Sequence, residues 1–192
     1  MKLFFCGQGA GLEKIMARAV NQDFTIALFT HPHRDIIQTA HNLTVWHTTR
    51  SVNDLDFWPF EPDLIVSVGY LTILKANTLD QAPAINCHYA LLPCHRGRSS
   101  VPWAILEGDK LTGVTWHRVD AGVDTGGILL QMTTQITPDD TAATLFDRRH
   151  CLANETYAPA LCLADSGRPL AIRSCSLTIS KPVIISVTGC ST

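Results

Sequence analysis

Lys2-Leu3-Phe4-Phe5-Cys6-Gly7-Gln8-Gly9-Ala10-Gly11-Leu12 is the stretch on which the fold turns. An apolar run of strand length stops at three glycines, and Leu12, Ile15, Met16 and Ala19 then recur at helical spacing. A second apolar run, Phe24–Phe29, follows. Strand, glycine turn, helix, strand is the opening of an α/β unit. Further along, Leu43–Trp46 reads as a short strand. Asp63–Val68 reads as a buried strand entered through Glu61-Pro62 and left through Gly69-Tyr70. Ala84–His88 is another, after Pro83. Pro102 suits the first turn of a helix through Leu106, which Gly108 ends. Thr112–Val119 alternates in the strand manner and Ile128–Ile136 reads as a strand. Thr137-Pro138-Asp139-Asp140 starts a helix, with acidic residues in its first turn, that continues to about Cys162. This alternation predicts one α/β domain with a mainly parallel sheet flanked by helices.

Composition narrows the function classes. Of 192 residues, 46% are apolar and 17% charged, a pattern that excludes disorder and coiled coil. The formal net charge is −2, with no basic stripe, which argues against a nucleic-acid partner gripped by this chain alone. No apolar run is long enough to cross a membrane, and the N-terminus reaches Gly7 too early for a signal peptide. Seven cysteines at scattered spacings, with no C-x-x-C pair, suggest reduced thiols in a cytoplasmic protein. A nicotinamide dehydrogenase is excluded in two places. Leu12 stands where its fingerprint needs glycine, and Thr30-His31-Pro32 stands where it needs an acid. His31-x-His33, His41 and His47 bring no carboxylate or thiol at ligand spacing, so a polar loop and no metal are expected there.

The chemistry concentrates in Ile85-Asn86-Cys87-His88-Tyr89-Ala90-Leu91-Leu92-Pro93 and in Asp120-Ala121-Gly122-Val123-Asp124-Thr125-Gly126. Asn86 and His88 lie two apart on a strand and share a face, while Cys87 points the opposite way into the core. Ligands in open α/β sheets sit outside the carboxyl ends of the strands, and both loops are candidates for that edge. An Asn amide can donate to a developing oxyanion. An imidazole can move protons near neutral pH, and a carboxylate can orient it. Each residue alone has a plainer reading: Asn-x-His as a surface pair, Asp-Thr-Gly as a turn. A glycine loop feeding a helix can hold phosphate through its N–H groups or simply make a tight turn.

Order and spacing together resemble the folate-dependent formyltransferase family. Asn-x-His, Leu-Leu-Pro, Arg96-Gly97, the helix bearing Trp103, Thr112-Gly113-Val114-Thr115 and Asp120-x-Gly-x-Asp124-Thr-Gly occur in that family's sequence. The resemblance spans most of residues 1–165 and is specific between Ile85 and Gln131. It implies a Rossmann-like formyltransferase fold. A catalytic domain would occupy residues 1–167, and residues 168–192, which match nothing in the family, would form a tail. It implies 10-formyltetrahydrofolate as formyl donor and Asn86, His88 and Asp124 as the catalytic set. Gly69, Tyr70, Leu71 and Leu74, with Val119, Asp120, Ala121, Gly122 and Val123, would line the folate pocket. The family's acceptors differ between branches. The Arg-Gly-x-x-x-x-Pro-Trp and Gly-Val-Thr-x-His patterns favour a small primary amine, nucleotide-linked or carrier-tethered, with Arg96, Gly97, Arg98 and His117 toward it. Methionyl-tRNA, glycinamide ribonucleotide, or folate binding without catalysis stay open. Ala90 departs from the serine that often precedes Leu-Leu-Pro, and Gly11 stands where glycinamide ribonucleotide enzymes favour Asn.

Overall fold

The computed structural model describes residues 1–32 and 34–164. The expected tail at 168–192 lies outside the described residues. In chain order the elements are β1 (Lys2–Gly7), α1 (Ala10–Val20), β2 (Thr25–Phe29), α2 (Arg34–Asn42), β3 (Trp46–Thr48) and a 3₁₀ turn at Leu55–Phe57. There follow β4 (Leu64–Val68), α3 (Ala76–Leu79), β5 (Ala84–His88), α4 (Ser100–Leu106), β6 (Leu111–Arg118), β7 (Ile128–Gln135) and α5 (Ala142–Ala164). They form a seven-stranded sheet in the order β3-β2-β1-β4-β5-β6-β7. The first five strands are mutually parallel, whereas β5–β6 and β6–β7 pair antiparallel.

The expected strands are present within a few residues. The third begins at Trp46 rather than Leu43, because Thr44 turns with φ 58° and Val45 closes α2 by donating to Ala40 O. The polar stretch after His33 is helix α2, with Ile36 and Ala40 buried against the sheet. The polar residues around those anchors, Arg34, Asp35, Gln38, Thr39, His41 and Asn42, mask its apolar face in the sequence. His33 lies outside the described residues. The last helix begins at Ala142, since Asp140 ties back to Thr137 N and stays in a turn.

Gly7 is dictated by packing. It has φ 146°, and a Cβ there would strike Val68 O, so β1 can lie against β4 as closely as it does only with glycine. One face of the sheet buries Leu3, Phe5, Val66, Val68, Ile85, Cys87, Val114 and Trp116 with residues of α1 and α5. The opposite face buries Phe4, Cys6, Ala27, Phe29, Ile65 and Ala84. The alternation in each strand is the two-residue period of a pleated sheet. Cys6 and Cys87 are buried free thiols; Cys94 is disulfide-bonded, a departure from the expectation of reduced thiols throughout. No helix among the described residues is long and apolar enough to cross a membrane.

Phe5 is fully buried, and its ring centroid lies 6.1 Å from that of Tyr157 on α5. Truncating a buried aromatic costs about 3–5 kcal/mol through lost transfer energy and the cavity left behind. Phe5→Ala is expected to lose that much in urea unfolding, with an unchanged denaturant slope.

Candidate active site

The site grows from the register of β5 on β6. Asn86 pairs with His117 and His88 with Thr115, while Cys87 pairs with Trp116 on the other face. The core residues of the two strands therefore alternate with four polar ones. Ser67 of β4 lies beside Asn86 and extends the polar row. Asn86 and His88 share a face, as their spacing predicts.

The second loop, a candidate for the carboxyl edge, starts from the opposite end of β5, although its Asp124 reaches His88 at the carboxyl end. Because β6 runs antiparallel to β5, Val119 emerges beside the start of β5, with its N–H on Ala84 O at 2.9 Å. The chain then turns back and delivers Asp124 to the polar face. Asp124 has φ 52°, in the left-handed region that Asp tolerates better than most residues. Its Oδ2 lies 3.3 Å from His88 Nδ1 and accepts the Gly97 N–H at 2.8 Å. Its Oδ1 lies 3.3 Å from His117 Nε2 and 3.5 Å from Asn86 Nδ2. Asn86, His88 and Asp124 are thus brought together.

The carbonyls fix two proton positions. His117 Nδ1 is 2.8 Å from Arg118 O, so Nδ1 carries a proton, while its Nε2 lies between Asn86 Nδ2 at 3.1 Å and Asp124 Oδ1 at 3.3 Å. His88 Nε2 is 2.7 Å from His95 O, so it too carries a proton. Its Nδ1, facing a carboxylate, is the position that takes up a second one. The resulting imidazolium would have both N–H groups satisfied. Burial pulls the His88 imidazole below its ordinary value, against the Asp124 charge and the His95 carbonyl. Burial pushes the Asp124 carboxyl up, but the hydrogen bond to His117, the charge of His88 and the Gly97 N–H leave it lower than usual overall.

The other expected site residues are placed as follows. His117, expected at the acceptor, is 2% exposed and belongs to the Asn86–Asp124 network. Gly97 has φ 83° and uses its N–H on Asp124, whereas Arg96 and Arg98 are exposed on the same loop. Tyr70 and Val119 pack on the apolar cluster that buries Leu74, so the two proposed folate segments share one floor. Leu71 and Val123 are half exposed. Gly69 is in the left-handed region at φ 66°. Ala121 is exposed, and the Asp120 carboxylate is committed within its own loop, to Gly122 N and Thr125 Oγ1.

The supporting roles of five residues escape the sequence reading. Thr115 donates to Ala90 O at 2.6 Å and accepts from Leu92 N and Gln131 Nε2, which pins the start of the active loop. Arg149 of α5 is fully buried and donates to Tyr89 O and Thr112 Oγ1. Burial brings its guanidinium down to about 10, against the pull of Asp109 and Tyr89. Only its apolar helical neighbours hint at burial. His95, Glu107 and Asp109 bring ligand-capable atoms within 4.8 Å of one another, a grouping that linear spacing does not reveal.

An NMR titration of the His88 ring is expected to give a midpoint below about 6.5. In Asp124→Asn, which removes the charge favouring the protonated ring, the midpoint should move lower still. The folded protein binds this proton less readily than the unfolded chain does. His88 therefore makes stability fall as pH drops from about 6.5 toward the folded value. A midpoint above 6.5 would contradict the burial seen here.

Comparison with known proteins places this geometry. A formyl transferase family model matches residues 14–161. Methionyl-tRNA formyltransferase of Anaeromyxobacter dehalogenans is 43% identical over 114 residues, 58% of this chain and 36% of that protein. GDP-perosamine N-formyltransferase of Brucella melitensis is 33% identical over 154 residues, 75% of this chain and 60% of that protein. The chain thus spans 36% and 60% of the length of these two relatives. The phosphoribosylglycinamide formyltransferase structure from Bacillus halodurans superposes with a TM-score of 0.73 at 23% identity, covering 90% of this chain and all of that one. At that identity the likeness concerns the fold. The family match over residues 14–161 makes this chain a member of the formyl transferase family.

Proposed function

We propose that the chain transfers a formyl group from 10-formyltetrahydrofolate to the primary amine of a small acceptor. The observation that carries this reading is the convergence of Asn86, His88 and Asp124 on one polar face. The unprotonated amine would attack the formyl carbon. As the carbonyl oxygen gains charge, the Asn86 amide donates to it, exchanging its long 3.5 Å contact with Asp124 Oδ1 for the oxyanion. The amine proton passes to His88 Nδ1, and Asp124 holds the imidazolium so formed. Collapse of the tetrahedral intermediate breaks the bond from the formyl carbon to N10, and the proton goes to that nitrogen. Atoms and charge balance, with formamide and tetrahydrofolate as products. Gly69, Tyr70, Leu71, Leu74 and the loop 119–123 would hold the folate.

A nucleotide-linked amino sugar is the acceptor class we favour, with a carrier-tethered amino acyl group second. Two features support this. Arg96 and Arg98 are exposed on the loop that carries Gly97 to Asp124, where guanidinium groups can meet a phosphate. The match to the GDP-perosamine enzyme also extends over more of this chain than the match to the methionyl-tRNA enzyme, 75% against 58%.

The purified chain should convert nucleotide-linked amino sugars to N-formyl products by mass spectrometry when given 10-formyltetrahydrofolate. Preferential formylation of methionyl-tRNA or glycinamide ribonucleotide would replace this acceptor reading, and binding of the donor with no turnover of any amine would overturn catalysis. Asn86→Ala should lower turnover about 10²–10³-fold, as loss of one oxyanion donor does. Its affinity for a stable donor analogue, measured calorimetrically, should change only a few-fold. Undiminished turnover would remove Asn86 from the mechanism.

A further inference from the structure

His88 depends on a backbone carbonyl, and that carbonyl belongs to a residue in an unusual conformation. His95 O accepts the His88 Nε2 proton at 2.7 Å. His95 itself has φ 51°, a left-handed conformation that a non-glycine residue holds only when its surroundings impose it. The surroundings are specific. His95 Nε2 is 2.6 Å from Asp109 Oδ2, and its Nδ1 is 3.9 Å from Glu107 Oε2. Its side chain is 12% exposed. Asp109 is fixed in turn by the end of α4, where its N–H donates to Ala104 O at 3.0 Å just after Gly108 turns the chain at φ 73°. Two residues past His95, Gly97 N–H is bound to Asp124. The active loop is thus clamped twice, once to the catalytic carboxylate and once to α4.

We propose that His95 and Asp109 are positioning residues for His88. The hydrogen bond from His95 to Asp109 aims the His95 carbonyl at His88 Nε2. That keeps the proton on Nε2 and leaves Nδ1 facing Asp124 as the proton-accepting atom. Without it, the imidazole could rotate or change tautomer, and proton transfer would lose its direction. This inference rests on the proposed role of His88, but its physical core concerns the ligand-free protein.

The test uses the full chain labelled with ¹⁵N-histidine. In the wild type, His88 should show one tautomer, protonated at Nε2. In Asp109→Ala the two His88 nitrogen signals should move toward the averaged values of mixed tautomers. In Asp109→Asn, whose side-chain oxygen still accepts from His95, the wild-type pattern should return. In formyl transfer, Asp109→Ala should lower kcat about 10- to 100-fold, the scale of an angstrom-level misplacement. KM for the donor should stay within about twofold, and Asp109→Asn should recover most of the loss. His95→Gln, which keeps a donor toward Asp109, serves as a second variant if Asp109→Ala folds poorly. An unchanged His88 tautomer in Asp109→Ala, or equal losses in the Ala and Asn variants, would overturn the proposal. The NMR readout needs no substrate, so the absence of formyl transfer by the wild type would count against the proposed activity and leave this inference to stand or fall by the spectra.

Discussion

A single carboxylate holds the site together. Asp124 faces two nitrogens from β5 and one from β6, and accepts one N–H from the active loop. These groups come from segments far apart in the chain, and their mutual placement depends on one side chain that satisfies all of them. The left-handed backbone at Asp124 is part of the same requirement, since it turns the loop back toward the sheet. Strain of this kind persists where the surroundings over-determine it, and four partners on two oxygens amount to that.

The fold was readable because its strands are buried runs of the right length, punctuated by glycine and proline. Ala84–His88 coincides with the strand expected from its sequence. Helix α2 was not readable, because Ile36, Ile37 and Ala40 stand among Arg34, Asp35, Gln38, Thr39, His41 and Asn42, which look like loop. Strand direction was also invisible. Nothing in Thr112–Val119 says that it runs against β5, and that direction decides where the loop after it emerges. The sequence reading therefore put Asp124 with the right partners but brought it from the wrong end.

Within the site, Asn86 and His88 declared themselves through a two-residue spacing, which a strand converts into a shared face. His117 looked like a residue for the acceptor because an isolated histidine in sequence carries no information about burial. Its partner was set by cross-strand register, a long-range property. Arg149, Thr115 and the His95–Asp109 pair went unseen for the same reason. Each acts on a backbone carbonyl or on another residue's orientation, and such relations leave no local pattern.

The alternation along β5 has an evolutionary consequence. Asn86 and His88 line the polar face while Ile85 and Cys87 face the core, so these positions on the strand are committed to one side or the other. A single-residue insertion or deletion here would exchange the two sets at once, burying an amide and an imidazole in the apolar layer and presenting a thiol on the polar face. Substitutions can be absorbed one at a time, but changes of length cannot. Descendants of this chain are free to drift in the loops around the strand, while its residue count stays fixed.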